Sequence, residues 1–83
     1  MKVLYFAWLR ERVGLAEEEV APPAEVVTVA DLARWLAAQD EAHAYAFDNP
    51  AVVRAAIDRR HVKPDSAIAG AREVAFFPPM TGG

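Results

Sequence analysis

Apolar and polar positions along this chain follow two periods, and the change between them marks out the elements. Lys2 to Leu9 is rich in β-formers, with Val3, Tyr5 and Ala7 on one side and Leu4, Phe6 and Trp8 on the other. A strand over this stretch is apolar on both faces. "RERVG" then offers a turn with Gly14 as the reversal point, and Glu17 to Ala21 reads as a second strand antiparallel to the first, ended by Pro22-Pro23. The period becomes helical in "TVADLARWLAAQ". Thr28 is a good N-cap, Asp31 stands three residues on in a capping box, and Val29, Leu32, Ala33 and Leu36 follow i, i+3, i+4, i+7 as one buried stripe. Trp35 borders that stripe, and the helix is expected to fade around Gln39 and Asp40.

The remaining pattern is shorter in range. A second short helix to Phe47 is expected to meet a turn at Asp48-Asn49-Pro50; "AVVRAAI" reads as a strand, "DRR" as its turn and "HV" as a short return. "KPDSAIAG" is loop-like, and "REVAFFP" is the last strand, with Val74 and Phe76 on one side and Ala75 and Phe77 on the other. A hairpin, a main helix and then further strands give an α+β fold with that helix packed on one mixed sheet. Right-handed crossovers make the first and last strands central and parallel, which accounts for their two apolar faces. This is the β-grasp, or ubiquitin-like, architecture, expected over residues 1–77, with 78–83 as an extended tail.

Composition narrows the chemistry. At 83 residues the chain is one domain. Its apolar fraction of 54% is high for so small an interior, so part of that surface is expected to meet a partner. A net charge of -3 gives no general attraction to nucleic acid. With no cysteine there is no disulfide, thiolate metal site or Cys nucleophile, and His43 and His61 stand apart at no zinc-ligand spacing. The first apolar run is too short and too soon charged for a signal peptide, and no stretch is long enough to cross a bilayer. A cytoplasmic protein without membrane attachment is expected.

The chain closes on "EVAFFPPMTGG". Six residues, Pro78 to Gly83, follow the last strand and can reach about 20 Å from it. Pro78 and Pro79 cannot donate to a β-ladder and stiffen the exit; Gly82 and Gly83 carry no side chains and suit a narrow channel. The result is a rigid arm with a thin tip bearing a carboxylate. A free carboxylate is a poor electrophile, but adenylation activates it, and sulfide displacing AMP leaves a thiocarboxylate. Such a protein carries sulfur on its own main-chain end.

With these features the sequence resembles the MoaD family of ubiquitin-like sulfur carriers, the small subunits of molybdopterin synthase. The matching stretches are "KVLYFAWLRERVG", "TVADL" and "EVAFFPPMTGG", in family order and over nearly the whole chain. It departs from the family pattern at Ala71-Arg72, where Gly-Asp is common, at Asp58, where Asn is frequent, and at Met80, where Val is usual. The resemblance implies that an E1-like enzyme uses ATP to adenylate Gly83 and that a sulfur donor converts it to the thiocarboxylate. It also implies that Pro78, Pro79, Met80, Thr81 and Gly82 enter the active site of a large subunit, in a two-plus-two heterotetramer. There the sulfur joins precursor Z to form the molybdopterin dithiolene. No cofactor or metal is expected on the chain, and acid–base groups belong to the large subunit.

Phe6 and Phe77 are expected on neighbouring central strands as an apolar face for the large subunit and the activating enzyme, against simple core packing. Arg59, Arg60 and Lys63 read as a solvated basic hairpin, with His61 a strand residue between them. Glu17, Glu18 and Glu19 read as a solvated strand edge, Trp8 and Trp35 as core or rim packing, and Arg10 and Glu11 as possible partner contacts. Two other functions fit the same residues: a carrier for thiamin or tRNA thiolation, and a β-grasp binding module that uses only its sheet face.

Overall fold

The computed structural model describes residues 1–79. Five strands form one mixed sheet: β1 (Lys2–Tyr5), β2 (Glu17–Glu19), β3 (Arg54–Ile57), β4 (Arg60–Val62) and β5 (Glu73–Phe77), in the order β2-β1-β5-β3-β4. β1 and β5 run parallel with Val3 opposite Val74 and Tyr5 opposite Phe76, while β2 pairs antiparallel with β1 and β3 antiparallel with β5. The first and last strands therefore lie inside the sheet, as the β-grasp reading requires. Three helices, α1 (Ala7–Val13), α2 (Val29–Ala37) and α3 (Glu41–Ala46), accompany it. Val3, Tyr5, Val74 and Phe76 of the sheet share the core with Leu9 of α1, Leu32 and Leu36 of α2, and Phe47 just after α3. Leu32 and Leu36 are wholly buried, so truncating either to Ala should cost about 2–5 kcal/mol.

The largest difference from the sequence pattern lies at residues 7–13. The first strand stops at Tyr5 and α1 begins at Ala7, where the strand was expected to run to Leu9. Ala7 takes φ +54°, a left-handed turn that breaks the ladder and starts the helix. Leu9 and Val13, four apart, then face the core. On the outer side the Arg12 guanidinium lies between two rings, 4.5 Å from the centre of Trp8 and 4.2 Å from that of Tyr45 on α3. Arg12 also donates to the Tyr45 carbonyl. Helix contacts thus win over the strand propensity of "YFAW". Gly14, at φ +88°, caps α1 by donating to the Arg10 carbonyl and is not a hairpin turn.

α2 follows its sequence signals. The Thr28 hydroxyl accepts from the Asp31 N–H, and the Asp31 carboxylate accepts from the Thr28 and Val27 N–H groups, each at 3.1 Å. Those backbone donors hold the Asp31 carboxyl below its usual range. Two further amides at the start of α2 find partners in the loop after β4: Val29 donates to the Ser66 carbonyl and Ala30 to that of Pro64. The loop is thereby laced to the helix, with Ile68 buried beneath it. Ala51 and Val52, expected at the start of a strand, instead join Pro50 in a 3₁₀ turn (Pro50–Val52), because Pro50 suits a helix start and has no N–H for a ladder. Gly70, at φ +78°, makes the left-handed turn before β5. No helix among the described residues is long and apolar enough to cross a membrane.

Candidate functional site

The site is built around the point where β5 ends. Core-facing residues alternate with outward ones along each strand, so Leu4, Ala75, Phe77, Ala56 and His61 share the sheet face opposite the helices. Phe77 closes β5 opposite Arg54, and its ring packs on His61 with centroids 5.1 Å apart. Phe6 continues β1 by one extended residue and donates its N–H to the Phe76 carbonyl at 3.1 Å. The alternation puts Phe6 on the same face as Leu4, and the turn at Ala7 then carries the chain away. Phe6 is left 49% exposed beside the start of the tail. Phe6 and Phe77 are thus brought together at the ends of adjacent parallel strands, and neither belongs to the wholly buried core.

Pro78 and Pro79 follow directly, half-buried and outside the ladder. Met80, Thr81, Gly82 and Gly83 lie outside the described residues. At the base of the tail, Arg54 stands opposite Phe77 and donates to the Ala51 carbonyl at 3.2 Å, while Lys2, paired with Glu17 at 3.4 Å, lies opposite Glu73 at the other end of β5. This arrangement offers an exposed aromatic pair and an adjacent cation where the chain leaves the sheet. Among the described residues no group of three or more His, Asp or Glu side chains could hold a metal ion.

The basic residues separate. Ile57 pairs with both Arg60 and Val74, which places Arg59 and Arg60 near the beginning of β5, at the opposite end of the sheet from Phe77. The hairpin turn is formed by Asp58 and Arg59 at φ +47° and +71°. The Asp58 carboxylate accepts from the N–H groups of Arg72 and Glu73, both at 3.0 Å, which ties the turn to the first residue of β5.

One side-chain cluster is not apparent in the sequence reading. His43 is buried, with Nε2 at 2.6 Å from Glu18 Oε2 and Nδ1 at 2.7 Å from Asp40 Oδ1. The Tyr5 hydroxyl donates to the same Glu18 oxygen at 2.7 Å. Burial alone lowers the His43 pKa, but the hydrogen bonds to Glu18 and Asp40 outweigh it and the net shift is upward. Burial and then Glu18 push the Tyr5 hydroxyl up, so it remains a neutral donor. Glu18 is therefore not part of a solvated edge. Its register with Val3 points it inward, and that alternation within "EEE" is the signal that could have found it.

The ThiS family model matches residues 3–83. The molybdopterin synthase sulfur carrier subunit of Escherichia coli (strain K12) is 42% identical over 83 residues, covering all of this chain and 99% of the relative. Among solved structures, a candidate molybdopterin converting factor, subunit 1, from Pyrococcus furiosus superposes with TM-score 0.74 at 31% identity, over 95% of each chain. SAMP1 from Haloferax volcanii superposes with TM-score 0.73 at 25% identity, over 100% of this chain and 98% of that one. Fold and full-length identity agree: the chain belongs to the ThiS family and stands, within it, with the MoaD-type ubiquitin-like proteins that its closing motif resembles.

Proposed function

We propose that this chain is the sulfur-carrier subunit of a molybdopterin synthase, working in the cytoplasm, and that its reactive group is the terminal carboxylate of Gly83. An E1-like enzyme joins that carboxylate to the α-phosphate of ATP, with pyrophosphate as the leaving group. Sulfide from a sulfur donor then attacks the acyl carbon, AMP departs with the electron pair of the C–O bond, and a thiocarboxylate remains. The tail carries this sulfur into the large subunit, where it is delivered to precursor Z (cyclic pyranopterin monophosphate), and addition of water returns Gly83 to the carboxylate. A dithiolene holds two sulfurs, so each product consumes two charged carriers. ATP belongs to the activating enzyme; the chain supplies a handle and an arm.

The observation that carries this reading is the full-length 42% identity to the Escherichia coli sulfur carrier subunit. The exposed Phe6 beside Phe77 at the root of the arm supports it, because the same surface can seat the large subunit at the centre of a two-plus-two heterotetramer and, at another time, the activating enzyme. The deciding experiment is the intact mass of the chain after incubation with its activating enzyme, ATP and a sulfur source. Replacement of one oxygen by sulfur, localised to Gly83, is expected. An unchanged mass in the presence of a competent enzyme rejects the reading.

A second reading keeps the tail chemistry and changes the acceptor, since the family match is to ThiS proteins and not to one pathway. Charged carrier mixed with the large subunit and precursor Z should yield the dithiolene. Transfer only to a thiamin-thiazole or tRNA-thiolation acceptor would select the second reading instead.

A further inference from the structure

At the tail end of the outer sheet face, Phe6, Phe77 and Arg54 stand side by side on neighbouring strands. Tyr5 pairs with Phe76, so Phe6 comes next to Phe77, and Phe77 pairs with Arg54. A second cation reaches the same end. Val62 pairs with Ala55, and the strands are antiparallel, so Lys63 lies just beyond that pair as Arg54 does. His61, opposite Ala56 on the same face, packs its ring on Phe77. Arg54, His61 and Lys63 are all exposed.

The carboxylates of this face collect away from that corner. Glu19 and Glu73 lie opposite Lys2 on either side, and Glu17 and Glu19 are paired with Lys2 and the N-terminus. Among the described residues neither Arg54 nor Lys63 forms an ion pair. The bond from Arg54 Nη1 to the Ala51 carbonyl steadies the guanidinium and leaves most of its donors unused. A steadied planar fork suits a carboxylate. Two uncompensated cations beside an exposed aromatic therefore fit a protein surface that is apolar at its centre and acidic on one flank. They do not fit a nucleic acid, since the chain carries a net charge of -3 and the rest of the face is acidic.

We propose that Arg54 and Lys63 form a cationic flank of the Phe6–Phe77 face, and that the large subunit meets it with Asp or Glu side chains. The inference rests on the sulfur-carrier reading, which supplies the large subunit as the occupant. The aromatic pair provides contact area, and the flank sets direction. A partner seated the other way round would bring its acids against Glu17, Glu19 and Glu73, which repel them.

Association of the full-length chain with the large subunit is followed by stopped-flow fluorescence at about 0.1 M and about 1 M salt, where screening lengths are about 10 Å and 3 Å. R54E/K63E should associate about tenfold more slowly at the lower salt and near the native rate at the higher, with an unchanged melting temperature. The charge-preserving R54K/K63R should keep the native rate. R60E/R72E changes net charge equally at the opposite end of the sheet, and should slow association less than about threefold. The proposal alone is overturned if R54E/K63E matches the native rate at the lower salt, or if R60E/R72E slows it as much. A native chain that does not bind the large subunit at all overturns the carrier reading and this proposal together.

Discussion

Glu18 of β2 and His43 of α3, 25 positions apart, are joined by a 2.6 Å hydrogen bond that fastens a sheet edge to the helical layer. Asp40 takes the other ring nitrogen, so the imidazole is clasped between two carboxylates and its protonated form is favoured. His43 is raised above the unfolded value of about 6.5, so its contribution to stability is fully present below that pH and is lost as pH rises through the folded pKa. Asp40 is shifted the other way, by the His43 backbone N–H first and the His43 side chain next. Its contribution is present above about 3.9 and lost as pH falls through the folded pKa. Thermal melts across this range should therefore show greatest stability in mildly acidic solution, with a decline on the alkaline side. H43A should remove that decline and cost about 2–3 kcal/mol, because Glu18 and Asp40 lose their hydrogen-bond partner. An unaltered alkaline limb in H43A would disprove the assignment.

Asp58 works through its acceptor oxygen and its backbone together. One carboxylate oxygen takes two amides from the start of β5, and the residue itself sits at φ +47°. D58A loses both bonds and keeps the unfavourable φ; urea unfolding should show a loss of about 1–3 kcal/mol. Asn keeps an equivalent oxygen and tolerates the left-handed region, so D58N should remain within about 0.5 kcal/mol of the native chain. Equal destabilisation in the two variants would show that the carboxylate charge, and not its acceptor geometry, holds the turn.

How far the fold could be read from the sequence depended on whether a local signal agreed with its tertiary setting. α2 was legible because Thr28 and Asp31 mark its start and four apolar residues mark its buried stripe. The parallel pairing of β1 with β5 was legible because both are apolar on two faces. α1 was not. "FAWLRERV" is only two helical turns, its residues favour strand as much as helix, and the deciding features are the left-handed turn at Ala7 and the stacking of Arg12 between Trp8 and Tyr45, a residue 33 positions away. The His43 cluster was hidden for a similar reason, since its four members come from β1, β2, α3 and the α3 cap. At the candidate site, Phe6 and Phe77 were placed correctly as neighbours, although Phe6 lies just past the strand end and owes its exposure to the same turn.

That turn gives a direct test of the Ala7 conformation. A left-handed residue with a Cβ carries a steric cost of about 1–2 kcal/mol, while glycine adds about 0.5–1 kcal/mol of unfolded-state freedom. The steric relief is the larger quantity, so A7G should be stabilised by up to about 1 kcal/mol in chemical denaturation, and A7V should be destabilised. A7G less stable than the native chain would mean that α1 does not begin with this turn.

The division between handle and arm predicts two separable kinds of damage. F6D places a charge on a residue that is already 49% exposed and whose backbone bond to Phe76 is untouched, so the melting temperature should change little. On the proposed docking face the same charge should weaken binding to the large subunit and the activating enzyme by at least about 2 kcal/mol, roughly thirtyfold, as expected for loss of an aromatic anchor. F77D should act in the same direction, with a larger stability loss because Phe77 is half-buried and packed on His61. Adding one residue after Gly83 should do the reverse, leaving stability and sheet-face docking near native while sulfur transfer stops, because the new terminal carboxylate is one residue, about 3.3–3.6 Å of extended chain, out of position. Binding by calorimetry and dithiolene formation, measured on all three variants, separate these effects. If the extended chain loses binding as F6D does, the sheet face and the terminus are not the distinct binding and chemical parts that the proposed function requires.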